Sequence, residues 1–118
     1  MGLVYDLNLW KIAHQLVLEV YKMVEKYPKA EIFALSNQMK RCAISVPANI
    51  VEGYKKQTKT HQIHFYNISD TSLEELKYYF LLSKDLKYIT EDEYKILISK
   101  SEEVGKMIAG YIKHIKNK

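Results

Sequence analysis

Apolar side chains recur along this chain at three- and four-residue intervals, the spacing that gathers them on one side of an α-helix. Trp10, Ala13, Val17, Val20, Tyr21 and Val24 form one such row, and Leu9, Ile12, Leu16 and Met23 form a second beside it. Together they predict a first helix over residues 8–26, with an apolar sector broader than a surface helix needs. Asp6 or Asn8 is placed to cap its start. Tyr27-Pro28 ends it, because the residue before a proline is pushed out of the α region. The connector from Pro28 to Leu35 has room for one helical turn. Ser36 is a candidate cap for a second helix over residues 37–56, with Pro47 inside it and Gly53 as a weak point near its end. Thr58 or Thr60 is expected to cap a third helix over residues 61–86. Lys87-Tyr88-Ile89 reads as a turn. Thr90, followed three residues later by Glu93, is a capping box. It opens a fourth helix over residues 91–115, whose core stripe runs through Tyr94, Leu97, Ile98, Ser101, Val104, Ile108, Tyr111, Ile112 and Ile115. Lys113, Lys116 and Lys118 complement the helix dipole at its end. Four helices with short connections predict an all-α, antiparallel up-down four-helix bundle, one domain spanning residues 1–118.

The second helix departs from a simple amphipathic pattern. At about 100° per residue, Leu35, Met39, Ala43, Val46 and Ile50 form the core stripe. Gln38, Arg41, Ser45, Asn49 and Glu52 fall within an arc of about 80° beside it. A second apolar patch, Ile44, Pro47, Ala48 and Val51, lies among Lys40 and Lys55. A bundle helix in a monomer needs no second apolar face, so this one points to a contact between subunits. Arg41 and Glu52 are residue types that pair by charge, and Gln38 and Asn49 can complete hydrogen bonds around them. The stripe is read as a partly buried network that sets helix or subunit register. The alternatives are an ordinary solvated face and a ligand-binding site.

Composition narrows the class. The chain has 118 residues, two prolines and four glycines, too few turn-formers for a dense all-β fold. Ten tyrosines suit half-buried positions and interfaces. No stretch approaches the roughly 20 apolar residues of a membrane span. The start lacks a secretion signal, and Met1-Gly2 is not followed by the Ser or Thr of a myristoylation site, since Asp6 stands there. Cys42 is the only cysteine, so it is expected to be buried and inert, and a cytoplasmic location is expected. The net charge of +4 is uneven. Residues 1–60 carry nine basic and five acidic side chains, and residues 61–118 carry nine of each. Lys40, Arg41, Lys55, Lys56 and Lys59 are therefore the candidate nucleic-acid-binding residues, with a solvated lysine-rich surface as the plainer reading.

Several segments together resemble a known family. They are Leu7-x-Leu9-Trp10-x-x-Ala13, Pro28-x-x-Glu31, Leu35-x-x-Gln38-x-x-Arg41, Ser45-Val46-Pro47-Ala48-Asn49-Ile50-x-Glu52-Gly53, Phe65, and Ser72-Leu73-x-Glu75-Leu76. This pattern closely resembles the four-helix-bundle proteins encoded in intervening sequences of bacterial 23S ribosomal RNA genes. It is also similar to the related accessory variability protein of diversity-generating retroelements. The resemblance implies a homopentameric up-down bundle without catalytic residues. The retroelement relative implies nucleic acid, RNA or DNA, and a reverse transcriptase as partners. The family pattern usually has Ala and Gly where Ser69 and Thr71 stand, and is richer in arginine near Lys40-Arg41.

Other chemistry finds little footing. His61 and His64 share a side of the third helix, but no carboxylate set accompanies them, so no metal or cofactor is expected. Di-iron bundles require Glu-x-x-His pairs, and none occurs. Helical ribonucleases of the HEPN type place a histidine one to two turns after an arginine, and Arg41 has no such partner. No glycine-rich phosphate loop appears. The expected function is a non-enzymatic homo-oligomeric bundle that binds nucleic acid or protein as an accessory. The alternative is a purely structural or protein-interaction module. Gln38, Arg41, Ile44, Ser45, Pro47, Asn49, Val51 and Glu52 are the expected interface or network residues.

Overall fold

The computed structural model describes residues 3–118, so Met1 and Gly2, and with them the discounted myristoylation start, lie outside the described residues. A 3-10 turn, Leu3–Asp6, leads into α1, Asn8–Val24. A second 3-10 turn, Lys29–Glu31, precedes α2, Leu35–Lys55. Helices α3, Lys59–Asp85, and α4, Glu91–Lys116, complete the chain, and no strand occurs among the described residues. Each helix packs on its neighbours in sequence, α4 closes back on α1, and the diagonal pairs stay apart. That is an up-down four-helix bundle, 46 Å long and 24 Å across.

The helical stripes explain the packing. Val20, Met39, Ile50, Leu76, Phe80 and Ile108 are completely buried, and the apolar interior forms one continuous cluster. Each such side chain contributes about 1.5–3 kcal/mol by leaving water. The core stripes expected for α1, α2 and α4 are those observed, with Tyr21 as the exception. Tyr21 is exposed and lies under the Lys40 ammonium, 5.0 Å from its ring centre. Small polar residues fill positions where helices approach closely. Ser69, Ser83 and Ser101 are fully buried, and each hydroxyl donates to a backbone carbonyl. Ser101 and Ser83 bond within their own helices. Ser69 reaches across from α3 to the Val46 carbonyl of α2 at 2.8 Å.

Helix ends follow local chemistry unevenly. The Thr90 hydroxyl accepts from the Glu93 N–H at 3.0 Å, and the Glu93 carboxylate accepts from the Thr90 N–H at 2.8 Å, completing the expected box. Thr58 caps α3 by accepting from the His61 N–H at 3.2 Å. The ends of α1 and α2 overturn the expectation. Leu7 and Ala34 occupy their caps, with no side-chain hydrogen bond at either. Asp6 is used up in the preceding 3-10 turn, and Ser36 already lies inside α2, buried. In their place the Leu7 carbonyl accepts from Lys11, and the Glu31 carboxylate approaches the Leu35 N–H at 3.5 Å.

Helix α3 ends in a Schellman arrangement. The Tyr88 N–H donates to the Ser83 carbonyl and the Lys87 N–H to the Lys84 carbonyl, both at 2.9 Å. Lys87 adopts the left-handed backbone, φ 65°, that glycine more often fills.

Gly53 stands two residues before the end of α2, near the end as expected, and it also lets α3 come close. A methyl group there would meet the Gln62 carbonyl oxygen at 3.1 Å and the Tyr66 ring at 3.2 Å. Pro47 sits inside α2 without ending it, and its ring is buried.

Candidate interaction site

Helix α2 carries the candidate residues, and its wheel decides which of them meet. The Ser45 and Ser72 hydroxyls lie 2.7 Å apart, linking α2 to α3. The Asn49 amide donates to the Ser45 hydroxyl at 2.9 Å and to the Ser45 carbonyl at 2.8 Å. These half-buried groups are the part of the polar stripe that forms a network. Gln38, Arg41 and Glu52 are exposed. Arg41 and Glu52 stand eleven residues apart, about 16 Å along the helix, too far for an ion pair within one protomer. Glu52 instead faces Lys56 one turn on, at 3.8 Å. The expected Arg41–Glu52 pairing is therefore not made inside the bundle.

The second apolar patch lines one open groove together with the start of the chain. Pro47 is buried and Val51 half-buried beside the start of the chain, where Tyr5, Trp10 and His14 line the same groove of about 340 Å³. Tyr5 meets Trp10 edge-on at 4.9 Å, and Trp10 stacks on His14 at 4.7 Å. Part of the patch thus serves the protomer's own packing. Ile44 and Ala48 line the same groove and remain exposed at its outer edge on α2.

The basic residues form two groups rather than one. Lys40 and Arg41 lie near the start of α2. Lys55, Lys56 and Lys59 lie at the α2–α3 corner, about 22 Å further on. Lys56 rests over the Phe65 ring, 5.0 Å from its centre, and Lys59 donates to the Lys118 carbonyl. Arg41, Ile44, Ala48, Glu52 and Lys55 share one exposed side of α2, an apolar centre with Arg41 at one end and the opposite charges of Glu52 and Lys55 at the other.

Sequence reasoning missed Phe33. It is 93% exposed on the α1–α2 connector, next to the half-exposed Ile32. The connector is fixed by Glu31, whose carboxylate accepts from the Tyr88 hydroxyl at 2.7 Å. The signal was an adjacent apolar pair outside every helical stripe.

Reactive groups are subdued. Cys42 is buried, and burial pushes its thiol up to about 12, with the Glu75 carboxylate adding to the effect. His61 is turned to Thr58, with 2.7 Å between its Nδ1 and the hydroxyl, while His64 lies edge-on to Phe65. Among the described residues, no group of three or more His, Cys, Asp or Glu side chains is placed to hold a metal ion. No helix of the described residues is long and apolar enough to cross a membrane.

Fold and packing together define an all-α, four-helix bundle. The pattern of the 23S rRNA-intervening sequence protein family matches residues 5–110, and the chain belongs to that family. A solved structure from Bacteroides thetaiotaomicron, described as a protein with unknown function from the S23 ribosomal protein family, is 25% identical with a TM-score of 0.79. The match covers 89% of this chain and 98% of that one. Neither description indicates an enzyme. No curated protein matches the chain.

Proposed function

We propose that the protein is a non-enzymatic homo-oligomer, a pentamer by its resemblance, that serves as an accessory binding RNA or DNA. One observation carries the reading. The outer side of α2 presents the exposed Ile44 and Ala48 at the edge of an apolar groove shared with Pro47 and Val51, with Arg41 before them and Glu52 and Lys55 beyond. The exposed Ile32-Phe33 pair adds a second apolar feature that a solitary bundle does not need. Ala48 lets a neighbouring helix approach closely. A charged residue there excludes one.

Size-exclusion chromatography with light scattering tests the assembly. The expected result is a mass several times that of one chain, reduced to a monomer by Ala48→Glu. A monomeric wild-type protein at micromolar concentration refutes it. Binding of RNA and DNA across a salt series tests the second half. Phosphate-driven binding weakens steeply as salt rises. A protein partner such as a reverse transcriptase belongs to the same reading.

A second reading has its own support. Lys56 and Lys59 already have partners within the chain, in Glu52, Phe65 and the Lys118 carbonyl. That favours a purely structural or protein-interaction module. Lys55→Glu combined with Arg41→Glu separates the two. Loss of nucleic-acid binding at unchanged mass supports the first reading, and the absence of binding at low salt in the wild type supports the second.

A further inference from the structure

The apolar surface of this chain has a hollow and a projection, and they stand apart. The hollow is the groove of about 340 Å³ between the start of the chain and the middle of α2. Trp10 and His14 form one wall, and Ile44, Pro47 and Val51 form the other. Its lining holds no aspartate, glutamate, lysine or arginine. It is open to solvent, so it suits a side chain presented from outside rather than an enclosed small molecule. Leu18 and Tyr21, one and two turns beyond His14 on α1, extend the exposed apolar face around it.

The projection is Phe33, with Ile32 beside it. Residues 32–35 carry no charged side chain, and the Ala34 N–H holds the backbone by donating to the Glu31 carbonyl at 3.0 Å. Other exposed apolar side chains fit the hollow less well. Tyr78 has Glu74 and Glu75 a turn before it on α3, and Ile96 has Asp92, Glu93 and Lys100 a turn away on α4. Leu3 stands two residues from Tyr5 of the groove itself. An uncharged projection and an uncharged hollow match, because their contact strips water from no ion. Aromatic side chains and few charges are also the composition of interface cores. One phenylalanine ring brings about 150–250 Å². That is about a quarter of the roughly 800 Å² per partner in a stable interface. Ile32 on one side and Tyr5, Leu18, Tyr21 and Ile44 on the other add exposed apolar area towards the rest.

The two features cannot meet within one chain. Helix α2 begins at Leu35, and Ile44 lies nine residues on, about 14 Å along the axis. We propose that the Phe33 ring of one copy seats in the Trp10–Ile44 groove of the next, against its aromatic wall. The contact is head to tail, since each copy offers a projection at one place and a hollow at another. Such a contact builds a ring when its rotation closes, where a self-complementary face would stop at a pair. The inference rests on the assembly half of the proposed function and names the contact that makes it.

Light scattering on two variants and their mixture tests it. Phe33→Asp removes the projection and keeps the groove. Ala48→Glu blocks the groove and keeps the projection. Each alone is expected to be monomeric with an unchanged circular-dichroism spectrum, because both positions are exposed. Mixed in equal amounts, they are expected to form a dimer and nothing larger, since one intact projection meets one intact groove. Emission of Trp10, the only tryptophan, is expected to move to shorter wavelength as that dimer forms. Photoreactive p-benzoylphenylalanine placed at position 33 of the otherwise wild-type chain is expected to cross-link to residues 44–51 of a neighbouring copy. A mixture with neither a dimer nor a Trp10 shift overturns the head-to-tail contact. An oligomer whose mass survives Phe33→Asp, or a cross-link to another segment or another molecule, overturns this inference and leaves the assembly reading standing. A monomeric wild type overturns both.

Discussion

The α2–α3 seam and the α1–α4 seam are built to different standards. Between α2 and α3, Gly53 allows close approach, Ser69 bonds across to the Val46 carbonyl, and Ser45 meets Ser72. Between α1 and α4, the Glu19–Lys100 ion pair crosses the surface. Beside it lie grooves of about 270 Å³, floored by Met23, Ile89 and Leu97, and about 140 Å³, beside Ile12, Leu16 and Val104. The first seam is specified by small residues and geometry. The second is specified by apolar bulk and a surface ion pair, which tolerate gaps. The segment carrying the densest family resemblance, residues 45–53, lies on the first.

The sharpest way to break this contrast is a pair of truncations. Ile50→Ala on α2 is expected to cost about 3–5 kcal/mol, because its site is fully enclosed. Leu97→Ala, beside an open groove, should cost about half that. Equal losses in urea denaturation would remove the distinction. Next in size is Gly53→Ala. The added methyl group gains helix propensity but meets the Gln62 backbone, for a net loss of about 1–2 kcal/mol in the same assay. An unchanged midpoint would show that α3 gives way there.

Alkaline titration probes the same seam. Cys42 lies beside Glu75, and Tyr79 donates to Glu75 at 2.9 Å. Burial raises both groups, the thiol from 9.0 and the phenol from 10.0, each to about 12. Over that interval the unfolded chain loses protons that the folded chain keeps. Their contribution is thus present in full below about pH 9 and is lost as pH rises towards 12. Melting temperature should fall across that window, more steeply in the wild type than in Cys42→Ala. Ser69→Ala, which deletes one bond across the seam, is expected to cost about 1 kcal/mol. The smallest effect belongs to the looser seam. Lys100→Ala removes a largely exposed pair and should change stability by about 0.5 kcal/mol or less.

The asymmetry also explains what the sequence made legible. Periodicity located four helices and the α4 stripe, because each depends on neighbours a turn apart. The Thr90–Glu93 box was readable for the same reason. The caps of α1 and α2 were not, since Asp6 is taken by a 3-10 turn and Ser36 by the helix itself. The packing role of Gly53 was not legible because it is set by Gln62 and Tyr66 on another helix. Arg41 and Glu52 share an angle on the wheel, but a wheel discards height, and height keeps them apart. The open cleft lined by Tyr54, Tyr66 and Tyr111 draws on three helices, so no local pattern announces it. The resemblance reached the family directly, because the Pro-Ala-Asn-Ile-x-Glu-Gly run holds the Asn49 and Gly53 positions that the tight seam uses.

Phe33 carries a consequence for the rate and cost of association. Glu31, tied to Tyr88 on one side and approaching the start of α2 on the other, fixes the backbone beneath that ring before any encounter. A partner that covers it has no loop to order. The entropy that flexible surfaces lose on docking has already been spent in folding. For any neighbour that covered it, the backbone of the α1–α2 connector would already be ordered, leaving only the rotamer freedom of the exposed Phe33 ring to lose.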